Sequence, residues 1–307
     1  MPTALITHSI FSEHEMLPGH PENPHRLRVI QEHLLRLGLS DFLLHVDAPM
    51  AGREQIERVH SSDHIENMAS HSPGHGLAFI DGDTAMNPFT LEAAWRAAGG
   101  AALATDMVLK GDVQNAFCTL RPPGHHAERH RAMGFCFFNN IAVAAAQALE
   151  EHRLKRVAIL DFDVHHGNGT ENIFRQDERV MVCSIYQYPL YPYINTPYIP
   201  GHLINTPQPD GSGSTEFRQA VNNIWLPELD AFQPEMILIS AGFDAHRDDP
   251  LAGLNLLDAD FAWITDVAMA LAQRHAGGRI VSCLEGGYDL GVLSRCVPLH
   301  IKKLAAL

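Results

Sequence analysis

Short runs of aliphatic and β-branched residues recur through the chain, and four of the six end in a polar cluster. This pattern restricts the fold more than any other feature. The runs are TALITHS (3–9), NAFCTLR (115–121), RVAILDFDV (156–164), VMVCSIY (180–186), MILISAG (236–242) and RIVSCLEGG (279–287). Near-continuous apolar runs of this length predict strands buried on both faces, as in parallel sheets. Helical patterns occupy 23–38, 90–111, 139–154, 216–232 and 258–278. The alternation predicts an α/β fold, with helices on both faces of a mostly parallel sheet. The stretch 186–213 is rich in Pro, Gly, Tyr and Asn and reads as a long surface loop whose tyrosines could wall a pocket. No repeat or linker divides the chain, so 1–307 reads as a single domain.

Ligands of open parallel sheets bind beyond the carboxyl ends of the strands, where loops diverge. That is where this chain places TLRPPGHHAERH, DFDVHHGNGT, SAGFDAHRDDPLAG and LEGGYD. Asp161, Asp163 and His165 lie two apart on an extended segment, so their side chains share one face and can share one ion. A histidine with carboxylates suits a divalent metal, and three protein ligands leave a position for water, as catalytic zinc requires. Asp244 is the best placed third ligand. An isolated Asp-x-His is ordinarily a capping aspartate and a surface histidine; its coincidence with three other polar strand ends shifts the reading to a metal site.

Chemistry at such a metal site also needs proton transfer. PPGHH holds His125 and His126 behind a rigid turn, where one imidazole could deprotonate a water and the other donate to the oxyanion or leaving amine. Asp161 and Asn168 are available to orient their far nitrogens. Tyr288, after a Gly-Gly turn, could polarise a carbonyl from the side opposite the metal. His166 has no such role and is expected to make a structural hydrogen bond.

The formal charge of −14 argues against a nucleic-acid surface and would draw a cationic substrate. Five cysteines without a C-x-x-C spacing indicate packed thiols rather than a disulfide framework or a cysteine zinc site. The segment MPTALITHSIFSEHE lacks the basic and apolar regions of a signal peptide, and no apolar window approaches about 18 residues, so no membrane association and a cytoplasmic address are expected.

With these residues in place, the chain resembles the zinc-dependent histone deacetylases of the arginase/deacetylase superfamily, in particular the bacterial class II-like deacetylase and acetylpolyamine amidohydrolase branch. The resemblance runs in order through HPENPHRL (20–27), DTAMNPFTLEAAWRAAGGA (83–101), RPPGHHA (121–127), GFCFFNN (134–140), DFDVHHGNGT (161–170), SAGFDAHRDDPLAGL (240–254) and EGGYDL (285–290). It implies a three-layer arginase-like fold with an eight-stranded, mostly parallel sheet, and zinc-dependent removal of acetyl or other acyl groups from lysine side chains or related amines. Asp163, His165 and Asp244 match the zinc ligands, although iron can occupy such a set. His125 and His126 match the acid-base pair, Tyr288 the carbonyl-polarising tyrosine, and Asp161 and Asn168 the partners of the histidines.

The same resemblance places Phe135 and Tyr191 on opposite walls of an acyl-lysine tunnel. It implies a structural potassium ion at Asp161, Asp163, His165 and Ser184, and a second ion site at Phe174, Asp177 and Val180. Two departures stand out. Where the family reads Ser-Leu-His, this chain has Ser184, Ile185 and Tyr186, which implies a reshaped following loop. Leu251 stands where a polyamine-selective relative carries an acidic residue, which favours acyl-lysine over acetylpolyamine. Acetylpolyamine hydrolysis and a non-catalytic zinc protein that binds acylated ligands are the alternatives, and assembly into a homo-oligomer is left open.

Overall fold

The computed structural model describes residues 1–307 apart from Asn195. Its strands are β1 (Thr3–Thr7), β2 (Leu43–Asp47), β3 (Ala78–Phe79), β4 (Ala85–Met86), β5 (Asn115–Cys118), β6 (Val157–Asp161), β7 (Val180–Gln187), β8 (Leu203–Gln208), β9 (Met236–Ala241) and β10 (Ile280–Leu284). The helices are α1 (His25–Arg36), α2 (Arg53–Glu57), α3 (Ser62–His71), α4 (Thr90–Lys110), α5 (Asn140–Glu150), α6 (Asn168–Phe174), α7 (Ser214–Ala220), α8 (Leu226–Phe232), α9 (Asp258–His275) and α10 (Leu290–Leu304). A π-helical turn, Val221–Trp225, joins α7 to α8 and completes the helical pattern expected over 216–232.

Eight strands form one sheet in the order β2-β1-β5-β10-β9-β6-β7-β8, and every pairing in it is parallel. The expected fold class is the observed one, with "mostly parallel" sharpened to wholly parallel. Strands β6, β7, β9 and β10 are buried from end to end, which is why they read as unbroken apolar runs. Helices α4 and α5 pack together against the sheet, while α10 lies between α1 and α9 on the other layer.

Two strands of this sheet escaped the apolar-run reading, and both lie at its edges. β2 exposes Leu44, His45 and Asp47 to solvent, and β8 lies inside the stretch expected to be loop, so that expectation is corrected: 203–208 pairs with β7. Pro207 is tolerated there because an edge strand leaves one side of its backbone unpaired. Helix α10 was missed for a related reason, since its interior Pro298 reads as a breaker.

His300 on α10 shows how tightly the layers join. Thr265 Oγ1 donates its only proton to Phe261 O, so it must accept from His300 Nδ1, 2.6 Å away; Nε2 then accepts from Ser282 Oγ at 2.9 Å. Burial lowers the pKa of this neutral ring to about 3, and that of His60 likewise to about 3, aided by the neighbouring His64. Both folded values lie below the unfolded value of about 6.5, so the unfolded chain takes up these protons first. Their stabilising contribution is complete above pH ~6.5 and is lost as pH falls toward 3. Between pH 6.5 and 5 each should cost about 1–2 kcal/mol of stability. Urea midpoints at the two pH values should differ less in His300→Gln than in the parent chain; an unchanged difference would refute the buried neutral ring.

Candidate active site

Strands β5, β10, β9 and β6, the four whose sequences end in the polar clusters, are four consecutive neighbours in the sheet. The connection leaving β6 runs outward to β7, while the one leaving β9 returns to β10 on the opposite side. The strand order therefore reverses between β6 and β9, the position where open parallel sheets form crevices.

Asp163 and His165 follow β6, and Asp244 follows β9. Their ligating atoms lie within 4.8 Å of one another, and all three residues are buried. His165 turns Nδ1 toward Asp163 Oδ1 at 3.1 Å and Asp244 Oδ2 at 3.2 Å. Backbone amides fix the other carboxylate oxygens: Val164 N donates to Asp244 Oδ1 at 2.9 Å, and Gly286 N to Asp163 Oδ2 at 2.8 Å. Asp244 Oδ2 is buried with no hydrogen-bond partner among the described residues. Burial and the Asp163 charge raise the Asp244 pKa to about 7, while the adjoining carboxylates of Asp163 and Asp244 overcome burial and raise that of His165 to about 10. Two buried carboxylates and an imidazole around one orphaned oxygen fit a divalent cation, and the donor set suits zinc.

Gly286 shows how closely the backbone approaches. A Cβ at this position would fall 2.1 Å from Asp244 Oδ2 and 2.5 Å from Asp163 Oδ2. Gly286→Ala should therefore weaken zinc affinity roughly 10–100-fold, the scale seen when groups supporting metal ligands are disturbed. Chelator competition measures this, and unaltered affinity would contradict the assignment.

Beside the ligands lie His125 and His126, with ring centroids 4.0 Å apart. Their partners differ in charge. His125 Nδ1 faces Asp161 Oδ2 at 3.0 Å, and its Nε2 is 3.7 Å from Asp163 Oδ1. Burial alone would lower its pKa, but Asp163 and Asp161 override that and hold it well above the usual imidazole range. His126 Nδ1 faces Asn168 Oδ1 at 2.7 Å. The Asn168 amide nitrogen is committed to Glu128 at 2.7 Å, so its oxygen must accept the His126 Nδ1 proton and Nε2 is left with a free lone pair. Burial, then the charges of His125 and His165, push the His126 pKa well down.

Tyr288 follows β10. Its ring lies edge-on to Phe135 at 6.0 Å, with the Arg26 guanidinium 5.1 Å from its centroid. Burial, reinforced by Asp244, raises its pKa well above 10, so it stays a phenol able to donate. Tyr191 stands edge-on to His126 at 5.2 Å and to His165 at 6.3 Å. Phe135 and Tyr191 are thus both placed at the site. Leu251 is 36% exposed on the loop after Asp244. His166 makes the expected structural bonds, to Glu171 at 3.1 Å and Asn205 at 3.2 Å.

Ser184 pairs in register with Asp161 across β6 and β7, and its buried hydroxyl has no partner among the described residues. Phe174, Asp177 and Val180 lie in two successive turns, where Phe174 O accepts from Asp177 N, Asp177 O from Val180 N, and Val180 O lies 2.9 Å from His202 Nδ1.

Several buried charges around the site went unassigned in the sequence. Glu285 accepts from Gly124 N at 2.7 Å, His125 N at 3.1 Å and Ser240 Oγ at 3.1 Å, locking the PPGHH turn to β10. Glu22 pairs with Arg26 and Arg121 in a fully buried cluster, and Arg26 reaches back to Gly287 O at 2.7 Å. The signals were a charged HPENPHRL segment and a glutamate closing an apolar run, neither of which reveals burial. A cavity of about 560 Å³ near the ends of β1 and β5, lined in part by His8, His25, His45 and Thr119, contains none of these carboxylates.

The sequence profile of the histone deacetylase domain matches residues 20–304. A probable deacetylase of Archaeoglobus fulgidus is 36% identical, the match covering 94% of this chain and 82% of that protein. A histone deacetylase-like amidohydrolase of Pseudomonas aeruginosa is 38% identical over 94% of this chain and 78% of its own length. The crystal structure of the HDA15 HD domain superposes with a TM-score of 0.93 at 34% identity, covering 99% of this chain and 88% of that one.

Proposed function

The chain belongs to the histone deacetylase family, and from that premise we propose that residues 1–307 serve as one deacetylase domain that removes acyl groups from lysine side chains with a zinc ion held by Asp163, His165 and Asp244. Its relatives are deacetylases and amidohydrolases, and the chain is a hydrolase of that kind. The observation that carries the finer reading is the orphaned, buried Asp244 Oδ2 beside a histidine pair with unlike partners.

A bound zinc supplies Lewis-acid polarisation of the amide carbonyl and of the attacking water. His126, its Nδ1 proton held by Asn168, presents Nε2 to accept the water's proton and later returns it to the departing amine. His125, held by Asp161, places positive charge beside the developing oxyanion. Tyr288 donates its phenolic hydrogen to the same oxyanion. Phe135 and Tyr191 flank the aliphatic stem of the substrate, and Leu251 offers its mouth an apolar contact rather than a charge. The unpartnered Ser184 hydroxyl supports a potassium ion beneath the metal loop, held with the backbone of Asp161, Asp163 and His165. The candidate second ion site at Phe174, Asp177 and Val180 has no comparable support.

Turnover of an acetyl-lysine peptide and of N-acetylputrescine on zinc-analysed protein tests the substrate class. The peptide should be favoured by roughly 10-fold or more in kcat/KM, the scale of discrimination that apolar pocket contacts supply. A preference for the acetylated diamine would overturn the lysine assignment, and no turnover of either would overturn the site.

A further inference from the structure

We propose that Asp249 is a positioning residue for Tyr288, coupling the oxyanion donor to the tunnel mouth through one carboxylate. This rests on the reading of Tyr288 as that donor. Tyr288 follows Gly286 and Gly287, and Gly287 has φ +118°, a conformation that side-chain-bearing residues rarely adopt. A Gly-Gly turn has no side chains to fix the residue after it, so the position of Tyr288 depends on what binds its backbone.

Asp249, only 5% exposed, supplies that binding. Its Oδ2 accepts from Tyr288 N at 2.7 Å and Asp289 N at 3.1 Å, and its Oδ1 accepts from Leu251 N at 3.1 Å. Just before the amide that Asp249 holds, Arg26 Nε holds the Gly287 carbonyl at 2.7 Å. On the far side, Asp289 caps α10 by accepting from Val292 N at 2.7 Å. Tyr288 is therefore clamped between a strand end and a helix start, and Asp249 is the part of the clamp that comes from the Asp244 loop. Its two oxygens face three N–H donors. An amide at this position has one acceptor oxygen, and its NH2 would confront an N–H on one side or the other. Because Leu251 hangs from the same carboxylate, the tunnel mouth and the oxyanion donor are held as one unit.

Misplacing a reacting group by about 1 Å can cost about 10²-fold in rate. Asp249→Asn should thus lower kcat on an acetyl-lysine peptide by roughly 10-fold or more in the zinc-loaded full chain, with zinc stoichiometry unchanged. The deciding measurement is the same substitution in a Tyr288→Phe background. If Asp249 acts through the phenol, the second loss should shrink to less than about 2-fold. Equal losses in both backgrounds, or no loss in the parent, would overturn the proposal. Asp249→Ser, taken through the same cycle, serves if the Asn variant does not fold. Full activity of Tyr288→Phe alone is a separate outcome: it would remove the role of Tyr288 itself, and this inference with it.

Discussion

Asp244→Asn should reduce turnover of an acetyl-lysine peptide by roughly 10³-fold or more, with bound zinc falling in parallel. The amide keeps an oxygen for Val164 N, which donates to Oδ1 at 2.9 Å, so the loop after β9 retains its internal support. What changes is Oδ2, the buried atom without a hydrogen-bond partner. Replacing its charge with a neutral NH2 removes one of three ligands and sets a donor against His165 Nδ1, which lies 3.2 Å away. Lewis-acid activation is worth several kcal/mol, and each 1.36 kcal/mol is tenfold in rate. Circular dichroism of the metal-free variant should still show the parental fold, which separates loss of the ion from loss of the fold. Normal zinc stoichiometry with normal turnover would move the metal site elsewhere.

The chemistry of this site was more legible in the sequence than its architecture. Asp163, His165, Asp161 and the His125–His126 pair could be singled out because period-two spacing and strand-end position are local properties. The order of the strands is not local. Runs that occur along the chain as β5, β6, β9 and β10 lie side by side as β5-β10-β9-β6, and no periodicity announces that interleaving. The edge strands β2 and β8 were missed for different reasons: β2 is largely exposed, whereas β8 is buried but spelled LINTPQ, whose Asn205, Thr206, Pro207 and Gln208 break any continuous apolar run. Phe135 came from the resemblance alone, and only the resemblance singled out Tyr191 among the tyrosines of its loop, since an aromatic residue in a loop reads equally as packing.

Buried charge was the other blind spot. Glu22, Asp249 and Glu285 are at most 5% exposed, yet in sequence each looks like an ordinary surface acid. Each one bonds groups distant along the chain: Glu22 to Arg121, Asp249 to Tyr288, Glu285 to Gly124. Only the folded arrangement supplies the donors that make such burial affordable. Glu285 illustrates the cost of doing otherwise: burial, only partly offset by the neighbouring charge of His125, raises its pKa to about 7.

Tyr288→Phe should lower kcat on the same peptide by roughly 10²–10³-fold, the scale for loss of one oxyanion donor. KM should hardly move, because the hydroxyl is called on only as charge develops on the carbonyl oxygen. The ring itself should stay in place. Its position is fixed by the Asp249 bond to its backbone N–H, the Arg26 guanidinium 5.1 Å from its centroid and the edge contact with Phe135, none of which needs the oxygen. Zinc content should also be unchanged, since no metal ligand contacts the lost hydroxyl through a hydrogen bond among the described residues. A zinc-replete variant with intact stability and a kcat collapse is therefore the expected signature, distinct from Asp244→Asn, in which metal and rate fall together. A variant with near-parental kcat would mean that the metal and the histidine pair stabilise the oxyanion without help from β10.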